Sequence, residues 1–415
     1  MRDDNTDDNK IDNKNGNTNK KTTDTTNTDA PAARPPLRSY PNSIQRLARY
    51  FTTVNMDKKI ADLADFLDRD HRISAVCVVD EETRPLGIIQ RDKLFLLLGK
   101  RFGWDLMGRR MVREIAEEVP IYPGETNILG VSQFLSAALR DRAPEMGSSF
   151  IVLTGDDGKF TGMLSFQDLS NYFVDMTSRD IALASLLQER FLACADAIPS
   201  PRIQVNAWSL PAMGVGGDFY FIKNLGAGRF FAALCDVSGK GIAASLVVSM
   251  VWGFLRANTL RAGLTRLISD LNSLIISTFH MEKYLTGFFM ICDSTTNQIL
   301  FADMGHAHNV FLRNGAINNL EKARVNLPLG IETEIKPAAF RAHVKHGDAL
   351  LIYTDGITEQ DNPRGQEFGD HLLHELARRS LAEGKNLENL LVPALEDFRK
   401  NTPQRDDMTC LFFRF

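Results

Sequence analysis

The sequence has little cysteine and no long apolar segment. Its 415 residues include five widely spaced cysteines: Cys77, Cys194, Cys235, Cys292 and Cys410. An odd number of distant cysteines argues against a disulfide framework and favours a reducing compartment. No run approaches the roughly 18 apolar residues that span a bilayer, and the first residues lack the apolar core of a secretory signal. We therefore expect a soluble cytoplasmic protein without membrane contact.

An excess of positive charge is also missing. The chain has 48 Lys and Arg against 52 Asp and Glu, which gives a formal net charge of −4. Nucleic-acid-binding domains normally carry a basic excess or stripe, so we expect no nucleic-acid partner. Hydrophobic residues make up 44% of the chain, and this length and composition predict two or three globular domains.

Several catalytic motifs are absent as well. No cysteine is followed by an arginine at the sixth position, which a cysteine phosphatase requires. The segment Gly239-Lys240-Gly241 lacks the upstream glycine and the hydroxyl of a Walker A loop. No Cys/His set has zinc-site spacing, and no Gly-x-Ser-x-Gly elbow occurs. The chemistry must therefore rest on other groups.

Composition and pattern divide the chain into four parts. Residues 1–41 are polar and then proline-rich, which predicts a disordered tail. Residues 42–176 form a predicted regulatory domain, residues 177–199 a linker helix, and residues 200–415 the part that carries the chemistry.

The predicted regulatory domain contains an internal repeat. Ser74 precedes Gly87 by 13 residues, and Ser149 precedes Gly162 by the same interval. Each copy predicts a helix, a β-branched strand, a turn, a second strand and another helix. This pattern resembles a pair of CBS motifs, which are tandem α/β modules that often bind adenine nucleotides in a shared cleft.

The second copy carries the better match to the ligand-contacting positions of that family. Ser165 and Asp168 have the hydroxyl and carboxylate spacing that CBS motifs use against ribose and phosphate, whereas Gln90 and Lys93 replace them in the first copy. The resemblance thus implies one adenine-nucleotide site. Two alternatives stay open: Asp168 only caps the following helix, or the domain is a ligand-free dimerisation module.

The linker at 177–199 has no Gly or Pro before Pro199 and concentrates its apolar residues on one side. It is either a core helix of the C-terminal domain or a helix that packs against a partner or its own copy. The second alternative predicts a homodimer in which the helix couples the two domains.

Five aspartates of the C-terminal part lie at predicted strand ends or in turns: Asp218, Asp236, Asp355, Asp406 and Asp407. An apolar strand that ends in Asp holds the carboxylate rigidly, and a set of oxygen ligands favours hard cations such as Mg²⁺ or Mn²⁺. The alternative is that each Asp merely starts a turn. Predicted strands outnumber helices and occur in consecutive pairs, which favours an α+β sandwich over a doubly wound parallel sheet.

Six segments of this part together resemble the SpoIIE/RsbU-like branch of the metal-dependent (PPM) serine/threonine phosphatases. In chain order they are Ala212–Tyr220, Cys235–Leu246, Met304–Asn309, Leu327–Ile331, Gly347–Glu359 and Arg405–Thr409. The resemblance implies a β-sandwich flanked by helices, with a binuclear Mn²⁺ or Mg²⁺ site at one end.

The same resemblance implies roles for individual residues. Asp236 matches the carboxylate that bridges both metals. Asp218 matches the acidic ligand of one metal, and Val237 would offer its backbone carbonyl. Asp355 and Asp406 match ligands of the other metal. Asp407, at a position where relatives often carry Asn, is either a further ligand or a residue that supports the ligands. His306 is a general acid or part of a structural turn.

Two positions depart from the family pattern, Phe221 after the Gly-Gly-Asp segment and Cys235 before Asp236. Neither is a ligand, so we expect an active enzyme that hydrolyses phosphoserine or phosphothreonine by a water that two metals activate. The implied substrate is a STAS-type anti-anti-sigma protein, and the N-terminal module would control turnover. The alternatives are a nucleotide-sensing scaffold without turnover and a cyclic-dinucleotide cyclase, whose signature glutamate is missing after Asp218.

Overall fold

The computed structural model describes residues 42–131, 149–193, 203–318, 320 and 326–415, so the predicted tail at 1–41 lies outside the described residues. Contacts divide the chain into two compact units, Met1–Val174 and Asp175–Phe415. Within the described ranges, no helix has both the length and the apolar character needed to cross a membrane.

The N-terminal unit contains two three-stranded sheets of identical topology. In each sheet the first two strands are parallel and the third is antiparallel to the second. The strands of the first sheet are β1 (Thr53–Asn55), β2 (Ala75–Val79) and β3 (Pro85–Gln90). Those of the second sheet are β4 (Ile121–Pro123), β5 (Phe150–Thr154) and β6 (Phe160–Ser165). The structural repeat follows the sequence repeat.

Both faces of the central strands are covered. Every residue of β2 is buried, which explains its unbroken apolar sequence. One face contributes to a core that the two sheets share, built around Cys77, Val152 and Met163. The opposite face of the first sheet packs on three helices: α1 (Ile60–Arg69), α2 (Arg91–Leu98) and α3 (Gly103–Met107). The predicted helix at 128–139 lies mostly outside the described residues.

A long helix, α4 (Phe166–Ala193), follows β6. It starts at a capping box, in which the Asp168 N–H donates to Ser165 Oγ (3.1 Å) and the Ser165 N–H donates to Asp168 Oδ2 (2.9 Å). Residues 177–193 of the predicted linker are therefore the C-terminal part of a helix that begins at Phe166, because the cap lies there and no Gly or Pro interrupts the following turns. Residues 194–202 lie outside the described part of the chain.

The C-terminal unit is a sandwich of two five-stranded antiparallel sheets. The first has the order β14-β11-β10-β9-β8 and the second β13-β12-β15-β16-β7. The first sheet comprises β8 (Asp218–Gly226), β9 (Arg229–Val237), β10 (Leu285–Asp293), β11 (Gln298–Met304) and β14 (Phe340–His343). The second comprises β7 (Gln204–Leu210), β12 (Asn309–Arg313), β13 (Ala316–Asn318), β15 (Ala349–Tyr353) and β16 (Met408–Arg414).

Helices cover the outer faces of this sandwich. The first sheet packs on α5 (Ile242–Ala257) and α6 (Leu264–Phe279). The short α7 (Asp355–Thr358) follows β15, and the second sheet packs on α8 (Gly369–Glu383) and α9 (Glu388–Arg399). Strand β9 shows why both faces are apolar: Phe230 points between the sheets, whereas Phe231 points to the helices. The predicted α+β sandwich is confirmed.

Candidate metal centre

Two carboxylates meet where β8 begins and β9 ends. Asp218 is the first residue of β8, and the antiparallel register pairs it with Asp236, the penultimate residue of β9. A Cβ on Gly217 would lie 2.7 Å from the carbonyl oxygen of Val237, so glycine is needed where these two strand ends approach each other. Like charges directly opposite one another destabilise a strand pair, and a cation would remove this repulsion.

Two further carboxylates come from the other sheet. Asp355 follows β15 as the first residue of α7, and Asp406 lies two residues before β16, the neighbour of β15. A side-chain bond joins the sheets here, because Thr354 Oγ1 donates to Asp218 Oδ2 at 2.6 Å. Four of the aspartates predicted from sequence thus lie at one end of the sandwich.

The pKa values show that these groups interact. Burial raises the pKa of Asp218 well above its ordinary value, and the charge of Asp236 adds to this effect, while the Thr354 hydroxyl opposes it. Burial likewise raises the pKa of Asp236 to about 6, and the charges of Asp355 and Asp406 contribute. Each carboxylate therefore makes ionisation of its neighbours more costly, as expected of a cluster that binds cations.

The donor chemistry fits a hard divalent cation, but the side chains do not yet converge. The candidate donors are carboxylates and a backbone carbonyl, the ligands that Mg²⁺ and Mn²⁺ prefer. The adjacent Cys235 thiol is buried, and burial raises its pKa well above the ordinary value, so it stays protonated. Among the residues that the structure describes, no three acidic, histidine or cysteine side chains are close enough together to hold one ion.

Asp407 has a different environment from the other four aspartates. It is buried, its Oδ1 accepts the Ala212 N–H at 2.8 Å, and its Oδ2 accepts the Gly217 N–H at 2.6 Å. A Cβ on Gly216 would lie 2.6 Å from Asp407 Oδ2. Asp407 therefore fixes the loop that leads into Asp218, a role that its motif position did not reveal.

Helix α4 contacts the same loop from outside the sandwich. Gln188 is buried, its Nε2 donates to the Gly216 carbonyl at 2.9 Å, and its Oε1 accepts the Gly216 N–H at 3.0 Å. Further along α4, the Phe191 ring stacks on Trp252 of α5 at 5.1 Å between centroids. Gln188 could not be singled out from the sequence, because it follows Leu187 and precedes Glu189 like an ordinary polar residue of a helix.

A cavity of about 150 Å³ lies between α4 and the loop before Asp218. Ser185, Gln188 and Leu192 line it from the helix, and Pro211 and Asp218 line it from the sandwich. The contact between the helix and the loop is thus incompletely packed, which leaves space for the loop to move.

His306 belongs to a tight turn. Asp303 Oδ1 accepts the His306 N–H at 2.8 Å and the Ala307 N–H at 3.2 Å, and Asn309 Nδ2 donates to Asp303 Oδ2 at 3.1 Å. His306 is buried, with Nδ1 3.5 Å from Thr286 Oγ1. This environment favours the structural role over the general acid.

The two candidate nucleotide-contacting residues of the N-terminal unit are engaged with each other. Ser165 Oγ donates to Asp168 Oδ2 at 2.6 Å, in addition to their capping contacts, and Arg49 Nε lies 3.1 Å from Asp168 Oδ1. In the first repeat, Gln90 and Lys93 both donate to a Glu117 carboxylate oxygen, at 3.2 and 2.7 Å. The contacts between Ser165 and Asp168 are those expected if Asp168 caps the following helix.

Comparison with known proteins follows the same division of the chain. Residues 226–415 match the family described as Stage II sporulation protein E (SpoIIE), and residues 44–100 match the CBS domain. Phosphoserine phosphatase RsbU of Bacillus subtilis (strain 168) is 26% identical over 243 residues, which cover 57% of this chain and 70% of that protein. Stage II sporulation protein E of the same organism is 28% identical over 204 residues, 48% of this chain but only 24% of that protein.

Among solved structures, the SiaA-PP2C domain of Pseudomonas aeruginosa superposes with a TM-score of 0.50 at 20% identity. The match covers 58% of this chain and 98% of that domain. This similarity shows that the C-terminal sandwich has the PP2C fold.

Proposed function

We propose that the C-terminal unit, whose residues 226–415 match the SpoIIE family, is a metal-dependent serine/threonine protein phosphatase that dephosphorylates a regulatory protein. The observation that carries the proposal is the meeting of Asp218, Asp236, Asp355 and Asp406 at one end of the PP2C sandwich. The fold alone would not imply activity, but this set of carboxylates supplies what hydrolysis of a phosphate ester needs.

We assign the ligands as the resemblance implies. Asp236 would bridge two cations, Asp218 and the Val237 carbonyl would complete one, and Asp355 and Asp406 the other. When bound, such cations would supply a water of lowered pKa and positive charge opposite the phosphoryl oxygens. Asp407 would act mainly through the backbone, because both of its oxygens already accept N–H groups of the loop before Asp218.

The remaining residues of the site hold these donors in place. Thr354 fixes the rotamer of Asp218 by donating to Oδ2. Gln404 Nε2 donates to the Leu210 and Asp406 carbonyls at 2.8 and 2.7 Å, and Arg405 pairs with Asp361 at 2.6 Å. These contacts fix the segment that carries Asp406, which reduces the reorganisation needed when substrate binds.

The substrate class follows from the relatives. RsbU is named a phosphoserine phosphatase, and the resemblance to the RsbU-like branch favours a phosphoserine on a STAS-type regulatory protein. The alternative function, a scaffold that binds its partner without turnover, needs none of the four carboxylates.

The test is turnover of the full chain on p-nitrophenyl phosphate and on a phosphoserine STAS domain, with EDTA, Mn²⁺ or Mg²⁺. We expect activity only with a divalent cation and loss of activity in Asp236→Asn. The control is Asp293→Asn, which changes another strand-end aspartate, the last residue of β10, and should leave turnover unchanged. Metal-loaded wild type without turnover on either substrate would favour the scaffold.

Control by the N-terminal module would pass through α4. The helix is continuous from Phe166 to Ala193, and Gln188 binds both polar backbone groups of Gly216. On another side of the helix, Leu183, Leu186 and Leu187 are exposed. We propose that these leucines pair with a second copy in a homodimer, so that movement of α4 changes the position of the loop before Asp218.

An adenine nucleotide at Ser165 and Asp168 is the remaining part of the proposed control. Arg49, whose side chain is 72% exposed, would have to release Asp168 to admit the ligand. Calorimetric titration of the full chain with AMP, ADP and ATP tests this, and absence of heat for all three would remove the nucleotide from the proposal.

A further inference from the structure

Lys240 occupies an unusual position beside a proposed metal ligand. Its Nζ lies 2.8 Å from Asp406 Oδ2 and donates to the Arg405 carbonyl at 2.7 Å. The other oxygen of this carboxylate, Oδ1, accepts the Asp407 N–H at 2.8 Å. Both oxygens of Asp406 are therefore in use, one of them by a positive charge of the chain itself.

The backbone around Lys240 is built to present this side chain. Gly239 and Gly241 have φ angles of +94° and +70°, a region that residues with a side chain rarely adopt. Ser238 anchors the loop: its N–H donates to the Tyr284 carbonyl at 2.9 Å, and its Oγ accepts the Tyr284 N–H at 3.0 Å. Lys283 Nζ also donates to the Ser238 carbonyl at 3.0 Å. The loop that carries Lys240 is thus tied down on the side away from Asp406.

The segment that carries Asp406 is anchored as well, by the contacts of Gln404 and Arg405. Since both segments are held, the mobile element between them is the Lys240 side chain, which is 41% exposed. A cation ligated by Asp406 would lie about 2.0–2.6 Å from its oxygen, within a few ångströms of the ammonium. The two positive charges repel each other, so they compete for this carboxylate.

We propose that Lys240 is a tethered counter-cation of Asp406, which neutralises this carboxylate in the metal-free protein and is displaced into solvent when a divalent cation binds. This inference rests on the proposed metal centre. It explains why the carboxylates do not converge on one point, since Asp406 is held by Lys240 and Asp218 by Thr354. It also implies that Lys240 sets the cation concentration at which the site fills.

The test is Mn²⁺ binding to the full chain, which is measured by calorimetry and by the electron paramagnetic resonance signal of unbound Mn²⁺. Lys240→Gln keeps a donor for the Arg405 carbonyl but removes the charge. We expect its dissociation constant for the Mn²⁺ ion at Asp406 to fall about fivefold, and this gain in affinity to shrink at high ionic strength. Lys240→Arg keeps the charge and should bind as the wild type does.

A matched control is Lys283→Gln, which removes a lysine that contacts the same loop but binds a carbonyl rather than a carboxylate. We expect no tighter Mn²⁺ binding in this variant. The metal-free Lys240→Gln protein should also unfold at a lower temperature than the wild type, because the charge of Asp406 is then uncompensated. Lower metal-free stability together with tighter Mn²⁺ binding is not expected of a lysine that only supports the loop.

Two results would overturn the proposal: Lys240→Gln binds Mn²⁺ no more tightly than the wild type, or Lys283→Gln gains as much affinity. Failure of the wild type to bind Mn²⁺ at all would refute the metal centre itself. The role of Lys240 and the proposed function can therefore fail separately.

Discussion

Replacing Gln188 with alanine tests whether α4 fixes the loop before Asp218. In the structure the Gln188 amide forms two hydrogen bonds with one residue, Gly216, and all of these groups are buried. The substitution leaves the Gly216 N–H and carbonyl without these partners while changing no proposed metal ligand. Any effect on the metal centre must then pass through the loop.

The magnitude follows from the two lost bonds and the adjoining cavity. Each bond contributes about 1 kcal/mol net, and a buried group left without a partner costs about 1–3 kcal/mol. The cavity of about 150 Å³ can admit water, since a water molecule occupies about 30 Å³ in the liquid. Water would satisfy part of the lost bonding, so we expect the loop to be destabilised by about 2 kcal/mol rather than by the full sum. This corresponds to about a 30-fold rise in the open population.

Hydrogen exchange measures this opening directly. Amides of residues 212–218 should exchange about 30-fold faster in Gln188→Ala, and Mn²⁺ should bind more weakly because Asp218 is held less firmly. The control is Gln167→Ala on the same helix, where the side chain donates to Asn171 Oδ1 in an exposed position; its loss should change exchange at 212–218 by less than about twofold. Unchanged exchange in Gln188→Ala would show that α4 does not hold the loop.

Three further outcomes are expected. Asp236→Asn should raise the thermal stability of the EDTA-treated protein near neutral pH, measured by calorimetry, because it removes a charge that burial disfavours. Burial, followed by the charge of Asp355, raises the pKa of Asp236 from 3.8 to about 6. A carboxyl whose pKa is higher in the folded chain stabilises the fold only where it is protonated, so the free energy of unfolding of the metal-free protein, measured in urea, should fall as the pH rises between these two values. Mn²⁺ titrations over the same range should show tighter binding as the pH rises. Replacing Leu186 and Leu187 with serine should convert the proposed dimer to a monomer in light scattering, since both side chains are exposed in the single chain and would be buried only in the dimer; a wild type that is already monomeric would refute the dimer.

The sequence was sufficient to predict the sandwich and the four strand-end carboxylates, because both depend on local pattern. The continuous apolar run Phe230–Cys235 in β9 identifies a strand that is covered on both faces, and the Asp after this run lies at the end of the strand. The internal repeat was equally visible, since two segments with the same spacing gave two sheets with the same strand order. These features need no knowledge of distant contacts.

The contacts that hold the carboxylates were not predictable in this way. Asp407 binds the N–H of Ala212 across 195 residues, and Gln188 binds Gly216 across 28. No periodicity links such positions, so only the folded chain shows that one aspartate of an Asp-Asp pair faces a loop while the other pairs with Lys240. The start of α4 was left open, because Ser165 and Asp168 were considered for ligand contact as well as for capping, and the continuation of this helix into the predicted linker was not foreseen.

The repulsion among the carboxylates also indicates where control could enter. Each of three aspartates has a compensating contact: Thr354 for Asp218, Lys240 for Asp406, and the backbone of the loop before Asp218 for Asp407. All three contacts are made by loops and strands of the sandwich itself. The contact of Gln188 with this loop comes instead from a helix outside the sandwich and borders a cavity. It can therefore be altered without unfolding either sheet, which makes it the least costly of these contacts for an N-terminal signal to change.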